Sequence, residues 1–317
     1  MLSKSRAECY GNKNFLGKSV KPDADKRTLF CFGLGFTGTA LANTLLSQGW
    51  SVAGTRRGAD EVSSETKENC SLLVFDGSCG SDAVVKALHQ ASHVLVTIPP
   101  QKESGDAVLK YFKQTLIDHP GLRWLGYLST TGVYGDRGGD WVDESSDLCP
   151  QWAHQKRRAD AEAQWLELNN SYGIPVHVFR LAGIYGPGRN LLERVREGTA
   201  RRIDVPGLVF NRIHVLDVVQ VLTASMARPN PGAVYNVSDD RPAPPAEAVA
   251  FACELLQVEV PPLVSLDEAG LSEMGRGFYA TNKKVRNRKI KKELGVELRY
   301  PDYQAGLRAL LKSRKIV

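Results

Sequence analysis

The sequence lacks the features of several protein classes. Its 317 residues include six cysteines, none in Cys-x-x-Cys spacing, so neither a zinc site nor a redox dithiol is indicated. No stretch approaches the roughly 20 apolar residues of a membrane span, and no internal repeat occurs. The composition, 42% hydrophobic and 24% charged, excludes a disordered, collagen-like or coiled-coil protein. Scattered cysteines in a chain of this size are typical of a reducing compartment, so we expect a soluble intracellular protein.

The first 27 residues differ from the rest. They carry seven Lys or Arg, three acids (Glu8, Asp23 and Asp25) and no apolar run, which excludes a secretory signal. Organelle transit segments are also basic but avoid acids, so a disordered tail and a transit segment both stay open. The corresponding locations are the cytoplasm and an organelle stroma or matrix.

The rest of the chain alternates short apolar runs with helical patterns. The runs are nearly continuous in apolar residues, as strands buried on both faces of a parallel sheet require. This rhythm predicts an α/β fold with a doubly wound parallel sheet. The predicted strands are 29–32, 51–55, 71–75, 93–98, 123–128, 175–180 and 234–237, and the predicted helices include 81–90, 104–118, 151–171 and 216–228.

A glycine pattern follows the first predicted strand and opens a helix. It reads Gly33-Leu34-Gly35-Phe36-Thr37-Gly38, the GxGxxG fingerprint of dinucleotide-binding (Rossmann) folds. The first glycine permits a sharp turn, the second lets the backbone approach a pyrophosphate, and the third allows close packing of helix on strand. The free N–H groups at the helix start then bind the phosphates. We therefore assign 28–240 to an NAD(P)-binding Rossmann domain.

The end of the second strand selects the cofactor. An NAD site has an acid there, whereas this chain has Arg56 and Arg57, and Asp60 and Glu61 come slightly late. Two guanidiniums suit the 2′-phosphate of NADP, so NADP is expected and NAD is less favoured. Asp76 after the third strand either accepts a hydrogen bond from adenine or caps a turn before Gly77. The predicted cofactor contacts are Gly33, Gly35, Phe36, Thr37, Gly38, Arg56, Arg57, Asp76, Ile98 and Pro99.

Longer motifs carry a family resemblance over about residues 28–312. With GxGFTG, the segments Ser129–Asp136 (STTGVYGD), 180–188 (RLAGIYGPG), 212–218 (RIHVLDV) and 235–237 (YNV) resemble the extended short-chain dehydrogenase/reductases. The form is similar to the atypical branch of this epimerase/dehydratase group. The resemblance implies hydride exchange between a nicotinamide and a small polar substrate, and a smaller substrate-binding subdomain over 241–317, with 182–210 contributing to the pocket.

In that family a strand Ser or Thr binds the substrate oxygen, a Tyr on the next helix moves the proton, and a Lys four residues later binds the ribose. Thr130 or Ser129 matches the hydroxyl. The nearest equivalent of Tyr-x-x-x-Lys has Trp152 in place of Tyr, followed by Lys156, and residues 151–171 contain no Tyr. An indole N–H cannot serve as an acid or base. Tyr134 and His154 are the substitutes, and Tyr134 otherwise packs or positions. An enzyme and an inactive nucleotide-binding sensor or regulator are both open.

The resemblance also names candidate substrate contacts. These are Tyr185, Arg189, Arg212 and His214, of which Arg189 would face an anionic group and His214 is more often structural. His89 and His93 fall on different elements, so no metal site is expected. A homodimer is a mild expectation from the resemblance alone.

Charge is distributed unevenly. The formal net charge of +6 comes from the tail and from the basic run within 281–292, and the remainder has a net charge of −5. In that run Val285, Ile290 and Leu294 fit one apolar side of a helix with a solvated basic face. Nucleic acid is therefore not an expected partner.

Overall fold

The computed structural model describes residues 27–58 and 69–314. The predicted tail, apart from Arg27, and also Asp60 and Glu61 lie outside the described residues. The strands are β1 (Thr28–Phe32), β2 (Ser51–Arg56), β3 (Cys70–Val74), β4 (His93–Val96), β5 (Trp124–Thr130), β6 (Trp141–Val142), β7 (Val176–Leu181), β8 (Gly183–Tyr185), β9 (Arg202–Ile203), β10 (Arg212–His214), β11 (Val234–Val237), β12 (Leu263–Val264) and β13 (Lys284–Val285). The helices are α1 (Phe36–Ser47), α2 (Asp82–His89), α3 (Ala107–Ile117), α4 (Ala153–Tyr172), α5 (Leu191–Arg196), α6 (Val215–Ala227), α7 (Pro245–Leu256), α8 (Glu273–Tyr279), α9 (Arg288–Leu294) and α10 (Tyr303–Arg314).

A seven-stranded sheet forms the centre of the molecule. Its order is β11-β7-β5-β4-β1-β2-β3, and every neighbouring pair is parallel. The order reverses beside β1, whose neighbours are β2 and β4. The predicted doubly wound α/β fold is therefore confirmed.

Both faces of the sheet are covered, which explains the continuous apolar runs. Along β1, Leu29 and Cys31 join one core cluster, whereas Phe30 and Phe32 join the other. All four side chains are fully buried. A strand with helices on each side must be apolar at every position, because alternate side chains point to opposite faces.

The C-terminal part builds a smaller core. Tyr185, Leu192, Ala248, Tyr303 and Leu307 are buried together, where α5, α7 and α10 pack around β8. Three short parallel pairs lie outside the central sheet: β10 with β8, β12 with β9, and β13 with β6. The boundary at residue 241 stays a prediction.

One predicted helix is shorter than the pattern indicates. Val285, Ile290 and Leu294 are all buried, but Val285 lies in β13 and only the other two lie on α9. The chain leaves the helical path because Lys284 N–H and Arg286 N–H donate to the carbonyls of Asp140 and Val142. The basic run is thus part strand and part helix.

Within residues 27–58 and 69–314, no helix combines the length and the apolarity that crossing a membrane requires. No group of three His, Cys, Asp or Glu side chains in the same ranges could hold a metal ion.

His177 gives the fold a pH dependence. Its Nε2 accepts from the N–H of Asn230 at 2.9 Å and its Nδ1 faces the carbonyl of Leu125 at 3.4 Å, so both nitrogens are used by the neutral ring. Burial lowers the pKa of His177 from 6.5 to about 4. Between these values the unfolded chain binds a proton that the folded chain does not, so stability falls as pH falls through this window.

We expect this imidazole to weaken the protein at acid pH. From pH 7 to pH 4.5, the wild type should lose about 2 kcal/mol of unfolding free energy relative to His177→Gln, which has no titrating ring. Urea unfolding of both proteins at several pH values measures the difference. Parallel stability curves over this range would contradict the expectation.

Candidate active site

A cavity of about 850 Å³ opens beyond the carboxyl ends of β1, β2, β4 and β5. This is where the strand order reverses, the place at which ligands bind in open parallel sheets. Its lining combines the glycine loop, the end of β5, the first turns of α4 and a segment of the C-terminal part. The lining includes Gly33, Gly35, Phe36, Thr37, Arg56, Arg57, Ile98, Pro99, Ser129, Thr130, His154, Arg157, Arg158, Arg189, Phe210, Asn211, Phe278 and Lys283.

The structure shows a different local environment at each of the three fingerprint glycines. Gly33 has φ +92°, and a Cβ there would lie 2.6 Å from Thr97 Oγ1 and from Ile98 Cγ2. A Cβ on Gly38 would lie 2.6 Å from the carbonyl oxygen of Gly33, so Gly38 brings helix and strand together without lining the cavity. A Cβ on Gly35 would meet nothing within 4 Å. Gly35 therefore leaves open the space above the turn.

The first turn of α1 faces that space uncapped. Its N-cap residue is Gly35, which supplies no side-chain hydrogen bond, and the turn holds no acid. Phe36 and Thr37 of this turn line the cavity. Backbone N–H groups and the positive end of a helix dipole suit phosphate, so the residues present fit a dinucleotide pyrophosphate.

Two arginines stand at the carboxyl end of β2 beside the same cavity. Arg56 is half-buried and Arg57 is exposed, and both contribute to the lining, as do Ile98 and Pro99 after β4. The turn is held from β2, since the N–H of Gly33 donates to Thr55 Oγ1 at 3.0 Å. The cavity thus joins the glycine loop to a guanidinium pair.

The contacts of Asp76 are those of a residue that caps a turn, one of the two roles expected from the sequence. Its Oδ1 accepts from the N–H of Ser78 at 2.8 Å and from the Ser78 hydroxyl at 2.6 Å, and these bonds lower the pKa of Asp76. The side chain is exposed and lies outside the cavity lining. Asp76 thus caps a turn beside Gly77, which has φ +87°, through one of its two carboxylate oxygens, and its contact with adenine stays a prediction.

The end of β5 carries the two predicted hydroxyls. Thr130 Oγ1 accepts from the N–H of Gly132 at 3.1 Å, which starts the 3₁₀ turn Thr131–Tyr134. The buried Ser129 hydroxyl donates to Glu162 Oε2 at 2.7 Å, an acceptor on α4. Both residues line the cavity, and Thr130 is the more exposed of the two.

A buried polar network stands behind these hydroxyls. Glu162 pairs with Arg180 of β7 at 2.6 Å, and both side chains are almost wholly buried. Arg180 Nη1 donates to the hydroxyl of Tyr134 at 2.8 Å, and that hydroxyl donates to Asn236 Oδ1 at 2.8 Å. The network joins α4, β7, the 3₁₀ turn and β11 through groups that satisfy one another.

Tyr134 is therefore a positioning residue in this structure. It is fully buried and does not line the cavity, so it cannot contact a ligand there. Burial raises the pKa of its phenol, which also opposes proton transfer. The packing role that the sequence left open for Tyr134 is the one its contacts support.

Helix α4 presents a different pair to the cavity from the one that the sequence suggested. Trp152 is the N-cap residue and lies before the first helical turn, and Lys156 is exposed outside the lining. His154 and Arg158, also four residues apart, both line the cavity. Arg158 is fixed there because its Nη1 donates to the carbonyl of Leu128 at 3.0 Å. The two residues that line the cavity thus lie two positions after Trp152 and Lys156 in the sequence.

Of the four predicted substrate contacts, one lines the cavity and three do not. Arg189 lines the cavity, with its guanidinium 5.5 Å from the centre of the Phe36 ring. Tyr185 and His214 are buried and Arg212 is half-buried, and all three lie outside the lining. Arg212 donates to the carbonyls of Phe210 and Ala243, and His214 Nδ1 accepts from the N–H of Leu216. Each of the three thus gives at least one polar atom to a backbone group, the Tyr185 hydroxyl to the carbonyl of Asp302 at 3.4 Å.

Sequence reasoning missed a wall from the C-terminal part. Phe278, 59% exposed, and the buried Lys283 line the cavity together with Phe210 and Asn211. The basic run that contains Lys283 showed no signal for this, because a charged run usually forms a solvated face. Three other bases of the run contact the fold: Arg286 lies over Trp141, Lys289 over Tyr235, and Lys291 pairs with Asp240.

The cavity is lined by positive charge only. Five arginines and Lys283 contribute to it, while no Asp or Glu of the described residues does. His154 adds a neutral imidazole, because burial and the neighbouring Arg157 and Arg158 lower its pKa below the ordinary value. The six cations are Arg56, Arg57, Arg157, Arg158, Arg189 and Lys283.

Known proteins resemble the whole arrangement. The profile of the NAD dependent epimerase/dehydratase family matches residues 33–238. Protein YeeZ of Escherichia coli (strain K12) is 31% identical over 281 residues, which are 85% of this chain and 95% of YeeZ.

Solved structures share the fold. A functionally unknown conserved protein from Silicibacter pomeroyi DSS is 45% identical, with a TM-score of 0.82 over 92% of this chain and 100% of that one. The dTDP-glucose 4,6-dehydratase of Bacillus anthracis, solved in complex with NAD, is 18% identical with a TM-score of 0.73 over 92% of this chain and 97% of that one. At that identity the likeness concerns the fold.

Gly35 and Gly38 provide a matched pair of variants to test whether the first turn of α1 binds the phosphates of the cofactor. Gly35→Ala should change the unfolding free energy by less than about 1 kcal/mol, because its Cβ meets no protein atom. It should still weaken NADPH binding at least tenfold, since the methyl fills the space above the turn. Gly38→Ala should lose binding and also about 1–3 kcal/mol of stability through backbone overlap. Urea unfolding measures the stability of each variant, and fluorescence titration measures its affinity for NADPH. Equal NADPH affinity in Gly35→Ala and wild type would contradict phosphate binding at this turn.

Proposed function

Because the chain belongs to the NAD dependent epimerase/dehydratase family, we propose that it is an NADP-dependent oxidoreductase or epimerase-like enzyme acting on a small polar substrate. The observation that carries the proposal is a single cavity that joins the glycine loop, the Arg56–Arg57 pair and Thr130. When bound, the nicotinamide cofactor supplies hydride exchange. The residues of this chain bind it, orient the substrate and move a proton.

The preference for NADP rests on charge. Arg56 and Arg57 lie at the carboxyl end of β2, and none of the described acids lines the cavity. An acid there would accept from the ribose hydroxyls of NAD and repel a 2′-phosphate, whereas guanidiniums form charge-assisted hydrogen bonds with that phosphate.

The arginine pair gives a direct test of this preference. Arg56→Ala/Arg57→Ala should raise the dissociation constant of NADPH about 10- to 100-fold, since charge-assisted hydrogen bonds contribute about 1.5–3 kcal/mol. The dissociation constant of NADH should change less than about threefold. Arg196→Ala, an exposed arginine of α5 outside the cavity, is the control. Equal losses for both nucleotides would show that the pair does not read the 2′-phosphate.

The proton-moving group follows from the α4 geometry. The described lining contains no Tyr, and His154 is the titratable group that α4 turns toward the cavity at four-residue spacing from a cation. A neutral imidazole can accept a proton from a substrate hydroxyl and return it. Thr130 offers a hydroxyl to the substrate oxygen, and Arg158 offers donors to a ribose hydroxyl. We assign these roles to His154, Thr130 and Arg158.

Variants of His154 and of Trp152 test which of these α4 residues contributes to proton transfer. His154→Phe should lower kcat at least about 100-fold while NADPH affinity changes less than about threefold, because general acid–base groups contribute that much. His154→Tyr keeps a titratable group and should retain activity, and Trp152→Phe should leave it unchanged. NADPH oxidation against aldehydes, ketones and nucleotide sugars is the assay. Loss in Trp152→Phe with none in His154→Phe would reverse the assignment.

A second candidate function is a nucleotide-binding sensor or regulator without turnover. The observation in its favour is the absence of Tyr from the described lining, together with the position of Trp152 outside it. Tight NADPH binding without oxidation on any substrate of that panel would favour it. The same panel thus decides between the two functions.

A further inference from the structure

Lys283 is a buried ammonium that the proposed roles leave unused. Its side chain is 6% exposed, yet it lines the cavity. Nζ donates to the carbonyl of Gly135 at 3.0 Å, and no other hydrogen bond or ion pair of this group occurs among the described residues. An ammonium has three donors, so two remain for a ligand.

The backbone on both sides of Lys283 is held in place. The N–H of Asn282 donates to Asp136 Oδ1 at 2.7 Å, and the Asn282 carbonyl accepts from the N–H groups of Arg137 and Gly139. Next along the chain, Asn211 Nδ2 donates to the Lys283 carbonyl at 2.8 Å, while its Oδ1 accepts from the N–H of Val285 at 2.8 Å. The ammonium is thus presented from a rigid support.

The cavity has more cations than the phosphates of the cofactor would pair with. Arg56 and Arg57 match a 2′-phosphate, and the uncapped turn of α1 matches a pyrophosphate. Arg157, Arg189 and Lys283 remain, with no described carboxylate in the lining to balance them. Of these three, Arg189 is exposed and Arg157 half-buried, whereas Lys283 is buried and needs a partner, because desolvation without pairing is costly.

We propose that Lys283 binds an anionic oxygen group, a phosphate or a carboxylate, of the substrate, and so determines that the substrate is an anion. The inference rests on the proposed function, since it assigns the substrate class of the same cavity. It places the anion on the wall formed by Asn211, Phe278 and Lys283 rather than at the glycine loop.

The site should respond to pH through Lys283. Burial lowers its pKa to about 8, an effect opposed by Asp136 and assisted by Arg137. His154 and the arginines of α4 line the same cavity, and the arginines keep their charge over this range. The ammonium is therefore lost as pH rises above about 8, and the affinity for a fully ionised anion should fall there.

The test is calorimetric titration of the full chain with inorganic pyrophosphate and, in a second arm, with succinate. Each titration is run with and without saturating NADPH. At pH 7 the wild type should bind one of the two anions, and Lys283→Met should bind it at least tenfold more weakly. Lys284→Met, on β13 outside the lining, should match the wild type. The arm that responds identifies phosphate or carboxylate.

A conservative variant separates ligand binding from structural support. Lys283→Arg should retain the affinity at pH 7 and keep it to pH 9.5, where the wild type loses it. The inference is overturned if the wild type binds neither anion, if Lys283→Met binds like the wild type, or if Lys283→Arg shows the pH dependence of the wild type. The Lys283→Arg comparison still decides if Lys283→Met does not fold. Failure of NADPH to bind would instead refute the proposed function.

Discussion

The buried ion pair between Glu162 and Arg180 fixes the geometry on which the candidate active site depends. Glu162 belongs to α4 and Arg180 to β7, so the pair sets the position of the helix against the sheet. The same carboxylate accepts from Ser129, and the same guanidinium holds Tyr134. Removing one partner leaves an uncompensated buried charge, which costs about 3–5 kcal/mol. The positions of the hydroxyls on β5 and of the α4 side chains above the cavity are therefore coupled.

Short-range patterns in the sequence were sufficient for the sheet and for the glycine turn that opens onto the cavity, whereas phosphate binding there stays a prediction. A parallel strand is apolar at every position because both faces are covered, and GxGxxG between a strand and a helix marks the turn. Arg56 and Arg57 stand at the carboxyl end of β2, so their place could also be predicted from the sequence. What could be predicted is what depends on residues close in sequence.

The remaining site residues depend on contacts between distant segments. Lys283 is buried through hydrogen bonds to segments more than 70 residues away, at Asn211 and Gly135. A basic run gives no sign of such partners. On α4, the face toward the cavity is set by the packing of Ala161 and Trp165 against the sheet. Alignment on the single letter Lys therefore selected Lys156, whereas the turn that faces the cavity carries His154 and Arg158.

The charge pattern connects these features. Outside the tail and the basic run the chain carries a net charge of −5, yet five of the six cations that line the cavity come from this part, and no described acid lines it. Such a cavity concentrates anions from solution, because its low-dielectric walls focus the field. The cations also repel one another in the free protein, so anions that occupy the cavity relieve this repulsion and bind only the folded chain. On the proposed function, ligand binding and folding are linked, and we expect the fold to be most stable when both the cofactor and an anionic substrate fill the site.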